Sequence, residues 1–179
     1  MPIQPHLDFV KSKNVLIVTG IALAVSSASI AAAADSESGK HLFILSGQSN
    51  MREPMIGTFA DTMKKALGEN EVIVSSFGQP SQSIRRWYRN WRPPEGMTVK
   101  PSDTEVYDKL MAGVQKAVKG QKLKSVTYIW MQGEADAESG FGSRYEESFF
   151  GVLDQIKADL SIKDINFVIG RINEIVTAL

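Results

Sequence analysis

A serine in the pentapeptide Gly47–Met51 is the first candidate for chemistry in this sequence. The pentapeptide reads Gly-Gln-Ser-Asn-Met and comes just after the apolar run His41–Leu45. A serine hydroxyl becomes a nucleophile when a base removes its proton and preorganised donors receive the charge of the tetrahedral intermediate. The end of a parallel strand offers such donors, because backbone N–H groups of the turn face the same space. The pentapeptide alone leaves open a second interpretation, a polar turn in which Ser49 or Asn50 caps the next element.

Two further polar clusters follow apolar runs in the same way. The cluster Gly78–Trp87 follows Val72–Val74, and the cluster Trp130–Asp136 follows Val126–Ile129. If the three runs are parallel strands, the polar clusters all lie at one edge of the sheet. We therefore expect them to form one site at the carboxyl ends of the strands.

The three clusters together resemble a known enzyme family. Gly-Gln-Ser-Asn-Met, then Ile-Arg-x-Trp, then Gln-Gly-Glu-x-Asp is the pattern of the sialate O-acetylesterase and acetyl-xylan-esterase-like carbohydrate esterases, a branch of the SGNH hydrolase superfamily. The resemblance covers roughly residues 41–171. It implies a three-layer α/β/α, flavodoxin-like parallel sheet and the removal of acetyl groups from glycans of the sialic acid or xylan type. An acetylated carbohydrate would be the partner, and the resemblance implies no cofactor.

The resemblance also implies roles for individual residues. Ser49 would be the nucleophile, and its own N–H, the N–H of Gly78 and the side chain of Gln132 would hold the oxyanion. A glycine at position 78 lets the backbone approach the substrate oxygen closely because it has no Cβ. Glu134 would orient the catalytic histidine, with a loop-capping carboxylate as the alternative. The expected substrate-contacting residues are Gln48, Asn50, Arg85 and Trp87.

The general base is the missing part of this scheme. Imidazole suits the task near neutral pH, yet the histidines of the sequence are His6 and His41. His41 begins the strand that ends near Ser49, so about eight residues at about 3.3 Å each separate the two. The Asp-x-x-His motif that the family carries near its carboxyl terminus does not occur. We therefore expect an amino-terminal part of a longer esterase, with the histidine beyond residue 179; a non-hydrolysing, glycan-binding relative is the alternative.

Composition and the amino-terminal segment bear on domain organisation and location. The 179 residues are 43% hydrophobic and 22% charged, enough for one ordinary core and one domain. Residues 1–34 predict a signal peptide and residues 35–179 the esterase-like domain, so we expect a secreted or periplasmic protein with no stable membrane insertion after cleavage. A membrane anchor over residues 15–34 is the alternative. Cysteine is absent, which excludes disulfides.

The segment Arg85–Pro94 is unusual because four arginines alternate with three aromatic residues. It suits a sugar-binding wall, a loop anchor with wet arginines, or stacking on single-stranded nucleic acid. The whole chain has 20 basic and 20 acidic residues, which argues against nucleic acid as a partner. The acidic cluster Glu134, Asp136 and Glu138 lacks nearby histidine or cysteine, so we expect loop capping and one catalytic carboxylate there, and no metal.

The order of elements predicts the fold class. Strands are expected at the three apolar runs and at 165–171, and they alternate with helices. That alternation predicts a parallel sheet with helices on both faces, in flavodoxin-like strand order with the fifth strand and the last helix lacking. The helices are predicted over Thr58–Leu67 with Gly68 as the stop, from the capping sequence Ser102–Glu105 to Gly120, and from the capping box Ser143–Glu146 through Leu160.

Overall fold

Four parallel strands form the centre of the molecule in the computed structural model, which describes residues 38–172. The strands are β1 (Lys40–Gly47), β2 (Val72–Gly78), β3 (Leu123–Met131) and β4 (Asn166–Ile169). Their order in the sheet is β2-β1-β3-β4, and every pair is parallel. This is the flavodoxin-like order for its first four strands, so the predicted fold class is confirmed. The predicted signal peptide, residues 1–34, lies outside the described residues.

Helices connect the strands, and their bounds agree with most of the sequence predictions. They are α1 (Met55–Leu67), α2 (Glu105–Val118), α3 (Glu134–Glu138) and α4 (Tyr145–Leu160). Three of them were expected. The short helix α3 was not, because five residues are too few to show an apolar repeat. Among the described residues, no helix combines the length and the apolar character needed to cross a bilayer.

The helix ends test the capping predictions. α1 ends at Gly68 as predicted, with a φ of 111° that favours glycine and its N–H bonded to the Lys64 carbonyl at 2.9 Å. Asp103 accepts a hydrogen bond from the N–H of Glu105 at the start of α2, at 3.2 Å. The capping box at Ser143 is wrong, since Ser143 lies in a 3₁₀ turn and α4 begins at Tyr145 without a side-chain cap.

The core lies between one face of the sheet and the helices α2 and α4. Successive side chains of a strand point to opposite faces, so alternate residues of β1 and β3 enter this core. Burial of each such side chain contributes about 1.5–3 kcal/mol. The buried members include Leu42 and Ile44 of β1, Val126, Tyr128 and Trp130 of β3, Leu110 and Val114 of α2, and Phe149, Val152 and Ile156 of α4.

The opposite face of the sheet carries α1, as the predicted three-layer arrangement requires. Phe59 of α1 meets Phe43 of β1 edge-on, with ring centroids 5.4 Å apart. α1 has no fully buried residue, so this layer is thin. At the β4 edge of the sheet, the side chain of Val168 is 54% exposed.

Candidate active site

The three polar clusters begin level with one another at the carboxyl edge of the sheet. Gly47 at the end of β1 is in register with Gly78 of β2 and with Met131 of β3. A Cβ on Gly47 would lie 2.0 Å from the Met131 carbonyl oxygen, so only glycine fits where the chain leaves β1. The strand ends therefore bring together the loops in which the sequence predicted a site.

Ser49 lies in a tight turn directly after β1. The N–H of Gln48 donates to the Met131 carbonyl at 3.0 Å, and the N–H of Met51 donates to the Gln48 carbonyl at 2.9 Å. Ser49 is half-buried, and within residues 38–172 neither its hydroxyl nor its N–H has a hydrogen-bond partner. The capping interpretation is wrong for this turn, because α1 starts at Met55 and has no side-chain cap.

Gly78 packs directly against this turn. A Cβ at position 78 would lie 2.8 Å from the carbonyl oxygen of Met51 and 3.2 Å from that of Gly47. The end of β2 therefore approaches the serine turn so closely that only glycine, which has no Cβ, fits at position 78. Its role as an oxyanion donor remains a prediction, now with the close approach that such a role needs.

Glu134, the first residue of α3, contacts the serine turn through Asn50. Asn50 Nδ2 donates to Glu134 Oε1 at 3.1 Å. The second carboxylate oxygen, Oε2, is buried and has no hydrogen-bond partner in the described part of the chain. One oxygen of Glu134 is thus held beside the residue that follows Ser49, and the other is available to a further donor.

Gln132 does not stand ready as an oxyanion donor, which contradicts the sequence prediction. It is 2% exposed, and its Nε2 donates to Asp136 Oδ2 at 2.5 Å and to the Gln82 carbonyl at 3.0 Å. An amide group has only two N–H donors, so both are occupied. Family likeness gave the position, but only the packed structure shows where the amide points.

Asp136 is the residue that sequence reasoning undervalued. Its carboxylate is 1% exposed and accepts hydrogen bonds from Gln132, from Ser83 Oγ at 2.9 Å and from the Ile84 N–H at 2.8 Å. Burial raises the pKa of this carboxyl above its usual value, although the three hydrogen bonds and the charge of Arg85 act to lower it. The available signal was the acidic cluster itself, for which loop capping was expected: Asp136 accepts the N–H of Ile84 in the loop after β2.

Two predicted substrate-contacting residues are buried, which contradicts that role. Trp87 has no exposed surface, donates from Nε1 to Ser46 Oγ at 3.0 Å and packs edge-on against Trp130 at 5.1 Å. Gln48 is also buried, and its Oε1 has no partner among the described residues. Trp87 therefore anchors its loop in the core, as the loop-anchor interpretation held.

Two of the four arginines in the segment Arg85–Pro94 hold that segment to the helices. Arg86 pairs with Asp103 at 3.1 Å, and Arg89 pairs with Asp159 at 3.2 Å. These contacts connect the segment to α2 and α4.

Arg85 and Trp91 remain as a half-buried cluster with Phe141. The Arg85 guanidinium lies 5.9 Å from the ring centroids of both Trp91 and Phe141, and its Nη1 donates to the Lys100 carbonyl at 3.0 Å. The two rings meet edge-on at 5.1 Å. In the described part of the chain, no carboxylate lies in salt-bridge range of this guanidinium, and a guanidinium flanked by aromatic rings is a surface that a sugar can contact.

No histidine of the described residues reaches Ser49. His41 is near the amino end of β1, where its Nδ1 lies 2.7 Å from Ser125 Oγ, at the opposite edge of the sheet. His6 lies outside the described residues. No group of three histidine, cysteine or acidic residues within 38–172 is arranged to hold a metal ion.

The parallel sheet with helices on both faces, with a serine turn and an acidic helix at its carboxyl edge, defines a three-layer α/β protein. Comparison with family models gives a match over residues 53–178 to the family "Carbohydrate esterase, sialic acid-specific acetylesterase". The chain belongs to this family. The matched range contains the clusters after β2 and β3 and begins just after the Ser49 turn.

Comparison with solved structures supports the fold. A protein from Arabidopsis thaliana, determined by X-ray crystallography at 1.6 Å, has a TM-score of 0.53 and 15% sequence identity, with 73% of each chain covered. At that identity the likeness concerns the fold alone. No curated protein matches the chain significantly.

Proposed function

We propose that this chain carries the nucleophile and oxyanion donors of a serine carbohydrate O-acetylesterase. One observation carries the proposal: the Ser49 hydroxyl is half-buried and unpartnered among residues 38–172, at the carboxyl end of the central strand β1. Its neighbour Asn50 links it to a carboxylate, Glu134, at 3.1 Å. Membership of a carbohydrate esterase family supports the same chemistry.

In this mechanism Ser49 Oγ attacks the acetyl carbonyl carbon while a base takes the hydroxyl proton. The carbonyl oxygen gains the negative charge, and the N–H groups of Ser49 and Gly78 would hold it. Collapse of the intermediate breaks the bond to the sugar oxygen, which leaves with the proton from the base. Water then cleaves the acetyl-serine ester by the same steps and releases acetate.

The base in this proposal is an imidazole that the described residues do not supply. Glu134 Oε2 is buried and has no partner within residues 38–172, so it could accept the N–H of an imidazole placed beside Ser49. Loss of one member of such a triad lowers kcat by roughly four to six orders of magnitude. We therefore expect the chain alone to hydrolyse acetyl esters very slowly and added imidazole to raise the rate.

The proposed substrate is an acetylated glycan, and an acidic sugar suits the surface best. The Arg85 guanidinium can pair with a sugar carboxylate, while Trp91 can cover an apolar ring face. Both lie on the connection between β2 and α2, and Asp136 links the start of that connection to the turn after β3. Asn50 is exposed and can contact the acyl group or the sugar.

A serine-directed fluorophosphonate tests the nucleophile. In the presence of imidazole we expect the intact mass of the wild-type chain to increase by one adduct, on Ser49. Ser49→Ala should remain unlabelled. Ser143→Ala is the matched control because Ser143 is exposed and makes no side-chain hydrogen bond, and it should label like the wild type. Labelling of Ser49→Ala at the wild-type rate would show that the nucleophile is misassigned.

A non-catalytic glycan-binding function is the second candidate, because no histidine of residues 38–172 lies near Ser49. It predicts saturable binding of O-acetylated sialosides without labelling or release of acetate, even with imidazole present. Labelling of Ser49 together with acetate release would exclude it.

A further inference from the structure

Asp136 lies outside the chemistry described above, yet it holds the site together. Its carboxylate binds the segment that follows β2, and Gln132 adds a fourth contact by donating to the Gln82 carbonyl at 3.0 Å. The segment Gln82–Ile84 is therefore fixed to the turn after β3 by hydrogen bonds at three consecutive residues. We call this set of contacts the Asp136 clasp.

The Asp136 clasp fixes one end of the loop whose other end is Gly78. At that other end, the N–H of Gln79 donates to the Gly47 carbonyl at 3.0 Å. Gly78 itself is wedged against the serine turn, where a Cβ would meet the Met51 carbonyl at 2.8 Å. The pairing of Gly78 with Gly47 in the sheet already holds the β2 end of this short loop, and the clasp restrains its other end.

The short helix α3 joins this clasp to the serine turn. Its first residue, Glu134, contacts Asn50 of the serine turn, and Asp136 contacts Ser83 of the loop after β2. Two carboxylates of one helix therefore bind the loops of two different strands. We propose that Asp136 is a positioning residue that sets the distance between the Ser49 turn and Gly78 through its contacts with Ser83, Ile84 and Gln132; the catalytic consequence rests on the proposed function.

Replacement variants separate this role from a merely space-filling one. Asp136→Ala removes both carboxylate oxygens, and with them three of the four hydrogen bonds of the clasp. Asp136→Asn should rescue it, because an amide oxygen can accept from Ile84 and Gln132 while the amide N–H donates to the Ser83 hydroxyl. Glu138→Gln is the matched control, since Glu138 is an exposed acid on the same helix whose side chain has no hydrogen bond to another described residue.

Hydrogen–deuterium exchange gives a readout that needs no activity. In Asp136→Ala we expect exchange of the peptide covering 82–86 to rise roughly tenfold or more relative to the core peptide 126–130, and that of 47–51 to rise with it. Asp136→Asn and Glu138→Gln should stay near the wild-type pattern. Exchange in 47–51 and 82–86 that is unchanged in Asp136→Ala would overturn the proposal, and so would Asp136→Asn behaving like Asp136→Ala.

The labelling reaction gives the catalytic readout. With imidazole present, Asp136→Ala should lower the limiting rate of phosphonate labelling roughly tenfold while the half-saturating probe concentration stays near that of the wild type. A change in half-saturation alone would overturn the positioning role. If the wild type is not labelled, the proposed function fails, while the exchange experiment still decides the clasp. If Asp136→Ala does not fold, Ser83→Ala decides: faster exchange in 47–51 supports the clasp and unchanged exchange overturns it.

The pH dependence of stability supplies a separate signature. Besides its hydrogen-bond donors, the Asp136 carboxyl is faced by Arg85 from the loop after β2 and by Tyr145 at the start of α4. Its folded pKa is raised, so the stability it contributes is present below its unfolded pKa and is lost as pH rises through the folded pKa. The unfolding free energy of the wild type, relative to that of Asp136→Asn, should therefore decrease as the pH rises from the unfolded to the folded pKa of Asp136. An increase over the same window would contradict the burial that the clasp requires.

Discussion

Two carboxylates two residues apart on α3 have different chemical capacities. Asp136 has three donors around it and is buried, so its oxygens are fully engaged. Among residues 38–172, the Glu134 carboxylate has a single partner, Asn50, which leaves its second oxygen without one. At the scale of residues, only Glu134 can therefore take part in proton chemistry with an added group, whereas Asp136 serves the arrangement of loops.

Gly78 gives the prediction that belongs to this scale. Gly78→Ala would place a Cβ 2.8 Å from the Met51 carbonyl, so backbone must move. We expect a loss of about 1–3 kcal/mol in unfolding free energy and slower labelling of Ser49. Gly113→Ala in α2 is the control: its Cβ would lie at an ordinary contact distance of 3.5 Å from Ser75 Oγ of β2, and helix propensity predicts a gain of about 0.5–1 kcal/mol. Denaturant unfolding measures the free energy change of both variants. Equal changes would contradict the close approach of Gly78 to the serine turn.

At the scale of elements, most of the segment Arg85–Pro94 is anchored to the rest of the fold and is not an exposed sugar-binding surface. Trp87 enters the core, and Arg86 and Arg89 pair with acids near α2 and on α4. Gln155 of α4 adds two hydrogen bonds, from the Arg89 N–H at 2.7 Å and to the Trp87 carbonyl at 2.9 Å. These contacts fix the base of the segment and leave Arg85 with Trp91 as the part that a ligand can reach.

Gln155→Ala tests this anchoring. It leaves the Arg89 N–H and the Trp87 carbonyl without their partner, so we expect a loss of about 1–3 kcal/mol in unfolding free energy. Asp154→Ala is the control on the same helix, because it removes an exposed ion pair with Lys157 that contributes about 0–1 kcal/mol. Thermal or urea unfolding of both variants provides the measurement, and a loss no larger than the control's would argue against anchoring by Gln155.

At the scale of the whole molecule, the two faces of the sheet are covered unequally. The face toward α2 and α4 holds the core, whereas α1 on the other face has no buried residue. At the sheet edge, Val168 and Ile169 of β4 are exposed. Exposed apolar side chains on an edge strand favour association between chains.

Val168→Lys should therefore reduce aggregation with little effect on unfolding free energy, since Val168 is 54% exposed. Val126→Lys is the contrasting variant, because Val126 is buried in β3 and an unpaired buried charge prevents stable folding. Light scattering while the protein is concentrated measures aggregation of the two variants, and the unfolding midpoint measures their stability. Unchanged scattering in Val168→Lys would show that this edge is not the aggregating surface.

The sequence by itself determined the sheet, most helices and the edge at which the loops meet. Apolar runs followed by polar clusters are local patterns, and parallel strands necessarily place their carboxyl ends together. The same reasoning found Ser49 as a candidate, because a strand end can be read from a short segment, whereas Gly78 and Glu134 came from the resemblance to the esterase family.

Only the tertiary structure decided which way the polar side chains point. Gln132 donates inward to Asp136, Trp87 is buried against Trp130, and Asp136 fixes the loop after β2. The physical reason is that each of these contacts joins residues from different loops, and hydrogen-bond direction and burial depend on both partners at once. Spacing along one segment determines where a side chain starts, but only its neighbours in the folded molecule determine what it can still bind.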